Sequence, residues 1–144
     1  MNNHFYALVI VCLCGHTFED DNFNDIMTPE DYECMAELGL DKKEVATFFD
    51  QNLLMTLKNP LSDSYTECWF RTSNVLTDKN EFNFEKFGDY IIRYGLGPLG
   101  KQDVKNVESL VHEAVDSCKN VEGSNIGNRG AKIYNCIVKA ILNF

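Results

Sequence analysis

The six cysteines of this 144-residue chain could support either a metal site or disulfide bonds. Four of them, Cys34, Cys68, Cys118 and Cys136, are far apart in sequence, and a single histidine, His112, lies among them. Zinc sites usually draw on cysteines and histidines at short spacings, so this pattern argues against zinc or another metal. An even number of dispersed cysteines favours two disulfides if the protein meets an oxidising compartment.

His112 is also the best candidate for acid–base catalysis, because Asp116 follows it by four positions on one face of a predicted helix. The sequence contains no nucleophile elbow and no calcium-binding loop. Gly95 and Gly97 lack the preceding strand and third glycine of a phosphate-binding loop. We therefore predict a protein that is not an enzyme and has no cofactor, with His112 as a solvated surface residue.

The apolar run at residues 5–14 is too short to cross a membrane. Ten helical residues rise about 15 Å, against a hydrocarbon core of about 30 Å. With small residues after it, the run predicts a secretory signal peptide at residues 1–17; a buried N-terminal helix is the alternative. Cleavage would remove Cys12 and Cys14 and leave a secreted, extracellular domain at residues 18–144 with the four dispersed cysteines.

Charge and composition narrow the range of partners. The chain has 13 basic and 22 acidic residues and a formal net charge of −9, which repels nucleic-acid phosphates and anionic lipid headgroups. No second apolar run of spanning length follows the leader. We therefore expect no nucleic-acid partner and no membrane insertion. A hydrophobic content of 44% predicts a folded domain and not a disordered acidic chain.

The first helix signal of the domain lies at Thr28, a hydroxyl N-cap followed by a proline and two acids. We predict that Glu30 and Asp31 are solvated residues of the first turn and that the helix ends at Gly39. The inward face of this helix should carry Tyr32, Met35 and Leu38.

Helical spacing continues through the rest of the domain. A second helix opens at Asp41 and is predicted to extend through Phe49 to Leu53. Further helices are predicted at residues 62–74, 83–94, 102–119 and 130–142, with loops at 95–100 and 122–129. No segment alternates like a β-strand, so the sequence predicts an all-α domain, a compact bundle of about six helices.

The cysteine spacing resembles that of the insect odorant-binding family, also called the pheromone-binding family, whose pattern has six cysteines. Matching the four dispersed cysteines to the first, third, fourth and sixth of that pattern places Ser64 and Gly127 at the second and fifth positions. Both vacant positions keep the family's spacing, so the chain is similar to the four-cysteine "minus-C" subgroup. The segments at residues 67–69 and 131–136 also resemble the corresponding helices of the family.

The resemblance implies a six-helix bundle around an apolar cavity, with disulfides Cys34–Cys68 and Cys118–Cys136. Each disulfide would stabilise the fold by roughly 3–4 kcal/mol through loop closure. The absent third pair implies that the helices at the two vacant cysteine positions separate more easily.

The function implied by the resemblance is transport of small hydrophobic ligands, such as odorants, pheromones or similar semiochemicals, through aqueous lymph in olfaction. A membrane odorant receptor is a further candidate partner, and the protein is expected to be a monomer or a weak homodimer. A hydroxyl at Tyr94 or Tyr134 would orient a polar group of the ligand. The candidate ligand-binding residues are the inward-facing Phe48, Phe49, Trp69, Phe82, Phe84, Phe87, Ile91, Tyr94, Val111, Val115, Ile133, Tyr134, Ile137 and Ile141.

A function of another class remains open on the sequence alone. A secreted helical salivary or signalling effector would also be small, acidic and disulfide-bonded, and it would act by binding a macromolecule through its acidic surface.

Overall fold

The computed structural model describes Phe23 and residues 26–144, so the predicted signal peptide, with Cys12 and Cys14, lies outside the described residues. Within them the chain forms six α-helices and no β-strand, which confirms the predicted all-α class. None of these helices combines the length and apolar character needed to cross a membrane. The helices are α1 Pro29–Leu38, α2 Lys42–Ala46, α3 Pro60–Thr72, α4 Phe84–Tyr90, α5 Val107–Ser117 and α6 Ile126–Leu142, and α4 runs directly into a π-helical turn, Ile91–Gly95.

The first two helices begin where their capping signals predict. The backbone N–H of Thr28 donates to the Asp31 carboxylate over 2.6 Å at the start of α1. Asp41 and Glu44 exchange hydrogen bonds of the same kind, 2.8 and 2.9 Å long, at the start of α2. Gly39 ends α1 in a left-handed conformation, with φ of 66°, which glycine adopts without strain.

The prediction that the second helix extends to Leu53 is wrong. The helix ends at Ala46, and the chain then turns so that Phe49 pairs with Met55 in an isolated β-bridge. The Asp50 carboxylate accepts the backbone N–H groups two and four residues later, at 2.8 and 2.9 Å. These local hydrogen bonds compete with the helix for its backbone donors, so the turn replaces the predicted helix.

The boundaries of two later helices also differ from the prediction. Helix α5 begins at Val107 and not at residue 102, because Asn106 adopts a left-handed conformation with φ of 58° that interrupts the helix. Helix α6 begins at residue 126 and not at residue 130, because the Asn125 side chain accepts the N–H of Asn128 over 2.8 Å and caps it.

Two disulfides join helices in the predicted pairs. Cys34–Cys68 links α1 to α3, with its Cα atoms 5.8 Å apart, and Cys118–Cys136 links the end of α5 to α6, with its Cα atoms 5.9 Å apart. Buried side chains form one cluster around the first disulfide and a second cluster from α4, α5 and α6. Trp69 and Tyr134 pack against both clusters, which therefore meet between α3 and α6.

Helices α3 and α6 are in backbone contact where the two vacant cysteine positions lie. A Cβ atom on Gly127 would be 2.0 Å from the carbonyl oxygen of Asp63, and one on Gly130 would be 2.3 Å from the Phe70 ring. The Asn125 amide donates to the Asp63 carboxylate across the same contact, over 3.2 Å. The two glycines have no side chains, so the helices touch directly here. That these helices separate more easily stays a prediction.

Candidate functional site

A cavity of about 140 Å³ lies where the two buried clusters meet. Its walls come from the start of α1, the turn after α2, helices α3 and α4, the π-helical turn and α6. The lining is largely aromatic and aliphatic, with Met55, Phe87 and Val138 among its buried members. Tyr94 and Pro98 line the cavity and are exposed, which places its opening beside the π-helical turn.

Helical spacing explains how each element presents a wall. Tyr134 and Val138 are four residues apart and therefore share one face of α6. In the π-helical turn, the N–H of Leu96 donates to the carbonyl of Ile91 over 3.1 Å, five residues back. Ile91 and Tyr94, at the start and near the end of this turn, both line the cavity.

Six of the fourteen candidate ligand-binding residues line the cavity, and the structure brings them together from four segments of the chain. They are Phe49, Trp69, Phe87, Ile91, Tyr94 and Tyr134. Their contact with a ligand stays a prediction.

The other eight candidates lie outside the cavity lining, and their contact with a ligand also stays a prediction. Ile133, Ile137 and Ile141 recur every four residues and form a row of α6 that is fully buried in the cluster with α5. The neighbouring row, with Tyr134 and Val138, faces the cavity. Both rows have the hydrophobic spacing of an inward helix face, so spacing alone cannot distinguish core residues from cavity-lining residues. The remaining residues that pack in the core clusters are Phe48, Phe82, Phe84, Val111 and Val115.

Polar groups gather at one end of the cavity, around Asp31. The Thr28 hydroxyl donates to Asp31 Oδ2 over 2.9 Å, and the Tyr65 hydroxyl donates to Asp31 Oδ1. The Trp69 indole N–H in turn donates to the Thr28 hydroxyl over 3.4 Å. Asp31 and Tyr65 each lie three residues before a cysteine of the disulfide between α1 and α3. The disulfide therefore fixes the register that brings this carboxylate and hydroxyl together.

Burial governs the protonation of this polar end. Loss of water raises the pKa of the Asp31 carboxyl above its ordinary value, and the hydrogen bonds from Thr28 and Tyr65 offset this only in part. Burial also raises the pKa of the Tyr65 and Tyr134 hydroxyls, and the nearby charge of Asp31 raises them further. Tyr134 is half-buried at the cavity wall, and its hydroxyl has no hydrogen-bond partner among the described residues.

An aromatic wall continues from the polar end towards the opening. The Tyr90 ring lies 4.8 Å from Trp69 and 4.7 Å from Tyr94, measured between ring centroids. The Tyr90 hydroxyl donates to the Glu30 carboxylate. Burial acts to raise the pKa of Glu30, but hydrogen bonds from Tyr90, the Glu30 backbone and Thr28 outweigh it, and the pKa is lowered.

The polar end is absent from the predicted site. Asp31 was expected to be a solvated first-turn acid, which is wrong, because its carboxylate lines the cavity. Tyr32, expected on the inward face of α1, is 45% exposed. The signal that could have located Asp31 and Tyr65 is their spacing of three residues from paired cysteines, since that spacing puts them on the disulfide's face of each helix.

His112 is exposed on α5, outside the cavity lining, as predicted for a surface residue. Over Phe23 and residues 26–144, no three histidine, cysteine, aspartate or glutamate side chains are grouped so that they could hold a metal ion.

The family model described as the PBP/GOBP family matches residues 18–140 of the chain. This range contains both disulfides and every residue that lines the cavity. No curated protein and no solved structure shows significant similarity to the chain.

Proposed function

Because the chain belongs to the PBP/GOBP family, we propose that it is a secreted carrier that holds one small apolar molecule in the cavity. The family consists of binding proteins, and we infer that this chain also acts by binding and not by catalysis. The observation that carries the proposal is the cavity of about 140 Å³ with aromatic and aliphatic walls. Odorants, pheromones and similar semiochemicals are the ligand class that we propose.

The size of the cavity suits a ring-sized ligand, since an apolar cavity of roughly 150 Å³ is enough to hold benzene. Burying an aromatic ring removes roughly 150–250 Å² of apolar surface from water. At about 25 cal/mol per Å² this corresponds to about 4–6 kcal/mol. We therefore expect dissociation constants of about 1 mM to tens of micromolar for bare rings, and tighter binding for ligands with an added tail.

We further propose that residues 1–17 are a signal peptide and that the mature chain is a four-cysteine member of the family. The apolar run at residues 5–14 supports the first proposal. The second is supported by the contact of Gly127 with Asp63, the residue next to Ser64. Gly127 thus lies against α3 one residue away from Ser64, whose own side chain is exposed.

The carrier function can be tested by titrating the lipid-free protein with fluorobenzene and monitoring binding by ¹⁹F NMR. We expect saturable binding of one molecule. Val138 lines the cavity and is buried, so Val138→Phe should fill part of the space and weaken binding at least tenfold.

Leu142→Phe supplies the matched control, since Leu142 lies four residues later on α6 and is 37% exposed. This variant should bind fluorobenzene within about twofold of the wild type. Absence of saturable binding by the folded wild type would contradict the carrier function and favour an effector that acts through its acidic surface. Equal weakening by both variants would show that binding does not occur in this cavity.

A further inference from the structure

We propose that the polar end of the cavity selects ligands that carry a protonated amine on a small apolar body, with the Asp31 carboxylate as the counter-ion. The inference rests on the proposed function of the cavity as a ligand site, and it adds the chemical class of the ligand's polar group.

The hydrogen bonds of Asp31 leave room for a ligand. Its carboxylate accepts from the Thr28 N–H and hydroxyl at Oδ2 and from the Tyr65 hydroxyl at Oδ1. A carboxylate offers about four acceptor positions, so one position on Oδ1 remains. All three donors are neutral. The ion pairs that the structure describes, Arg71–Glu67 and Lys119–Asp116, both lie elsewhere, so these contacts leave the charge of Asp31 uncompensated.

Aromatic rings line the cavity beside its polar end, where the Trp69 indole donates to the Thr28 hydroxyl. Trp69, Tyr90 and Tyr94 form a continuous wall of rings along the cavity. The faces of such rings attract cations, and aromatic cages are a common way to bind ammonium groups. The Tyr134 hydroxyl, which has no hydrogen-bond partner among the described residues, is a second acceptor at the cavity wall.

The electrostatics favour a cation over a neutral group. Asp31 is half-buried at the cavity wall, and the loss of water there raises the pKa of its carboxyl. The free-energy cost of removing water from the carboxylate is therefore met when the protein folds, and it is not added when a cationic ligand binds. Glu30, the adjacent residue, adds negative charge beside it. The formal net charge of −9 also draws cations towards the protein.

Ligands of similar shape that differ in their terminal group distinguish the effect of charge on affinity from the effect of size. 2-Phenylethylamine, 2-phenylethanol and n-propylbenzene share a phenyl ring and a short chain, and they end in an ammonium, hydroxyl or methyl group. Measured by calorimetry at pH 7, the amine should bind the wild type at least tenfold more tightly than n-propylbenzene and more tightly than the alcohol. Equal affinities of amine and alcohol would show a simple hydrogen-bond acceptor and would overturn the counter-ion.

Asp31→Asn should abolish the preference, so that within this variant the affinities for the amine and for n-propylbenzene differ by less than about threefold. Glu33→Gln is the matched control, because it removes the same charge from an exposed position of α1 outside the cavity lining, and it should keep the preference. A preference that survives in Asp31→Asn overturns the proposal. If no ligand of the series binds and fluorobenzene also fails, the carrier function itself is wrong, whereas n-propylbenzene binding without an amine preference overturns only the amine class.

Wild-type measurements at two pH values test the same point without a variant. The ionised carboxylate binds the amine, so amine affinity should be greatest at neutral pH and should fall as the pH is lowered to 4 and Asp31 takes up a proton. n-Propylbenzene affinity should change less than threefold, and an equal fall for both ligands would overturn the proposal. The titratable groups near Asp31 do not confuse this test. The pKa values of Tyr65 on α3, Tyr90 on α4 and Tyr134 on α6 are raised, so these tyrosines do not titrate between pH 4 and 7. The pKa of Glu30 is lowered, so this carboxyl takes up a proton at lower pH than Asp31 does.

Discussion

Removal of the Cys34–Cys68 disulfide, by Cys34→Ala with Cys68→Ala, should lower the free energy of unfolding by about 3–4 kcal/mol. The bond closes a long loop, with a sequence separation of 34, and so restricts the unfolded chain. Removing it increases the conformational entropy of the unfolded state. It also sets the register between α1 and α3 that brings Asp31 to Tyr65. We therefore expect the paired variant to bind ligands of the cavity at least tenfold more weakly, even at temperatures where it is folded.

The second disulfide provides the comparison. Cys118→Ala with Cys136→Ala opens a shorter loop, with a sequence separation of 18, and should cost about 3 kcal/mol. This disulfide joins neither α1 nor α3, the helices that carry Asp31 and Tyr65, so ligand affinity should change by less than about threefold while the variant is folded. Chemical denaturation with calorimetric ligand titration measures both effects. Equal losses of affinity in the two paired variants would contradict the role assigned to the first disulfide.

Gly127→Ala should destabilise the protein by about 2 kcal/mol, although alanine is the better helix former by about 1 kcal/mol. The new Cβ atom would lie 2.0 Å from the Asp63 carbonyl oxygen and 2.6 Å from its carbonyl carbon. Both are backbone atoms of α3, so relief requires the two helices to move apart, and overpacking of this kind typically costs 1–3 kcal/mol. Urea denaturation measures the change.

Gly88→Ala is the matched control for this contact. A Cβ atom on Gly88 would approach the His112 ring at 3.0 Å, but that ring ends an exposed side chain that can rotate away. We expect this variant to lie within about 1 kcal/mol of the wild type. A Gly127→Ala protein as stable as the wild type would show that α3 and α6 do not depend on their backbone contact.

The local signals in the sequence predict much of this fold. Thr28 and Asp41 mark helix starts because capping depends on residues within one turn. The predicted helix through Phe49 is wrong because the Asp50 carboxylate accepts hydrogen bonds from the following backbone N–H groups and forms a turn. Helix propensity does not include this competition between side-chain and helical hydrogen bonds. The early start of α6 was missed although Asn125, a strong N-cap residue, is visible in the sequence.

The cavity could be predicted only in part, because its lining depends on how helix faces meet. Spacing along α6 marks Ile137 and Val138 equally as apolar, and only tertiary packing sends one to the core and the other to the cavity. Asp31 shows the limit more clearly. A carboxylate in a first turn usually faces solvent, and it is the disulfide from Cys34 to the neighbouring helix that turns this one inward.

The central claim is that the cavity between α3, α6 and the π-helical turn holds a small apolar molecule. The most direct measurement is the anomalous diffraction of bromine from crystals of the protein soaked with bromobenzene. We predict one strong bromine peak inside the cavity, within van der Waals distance of Trp69 and Tyr134. Bromine peaks confined to the protein surface, with the cavity empty at saturating bromobenzene, would contradict the account.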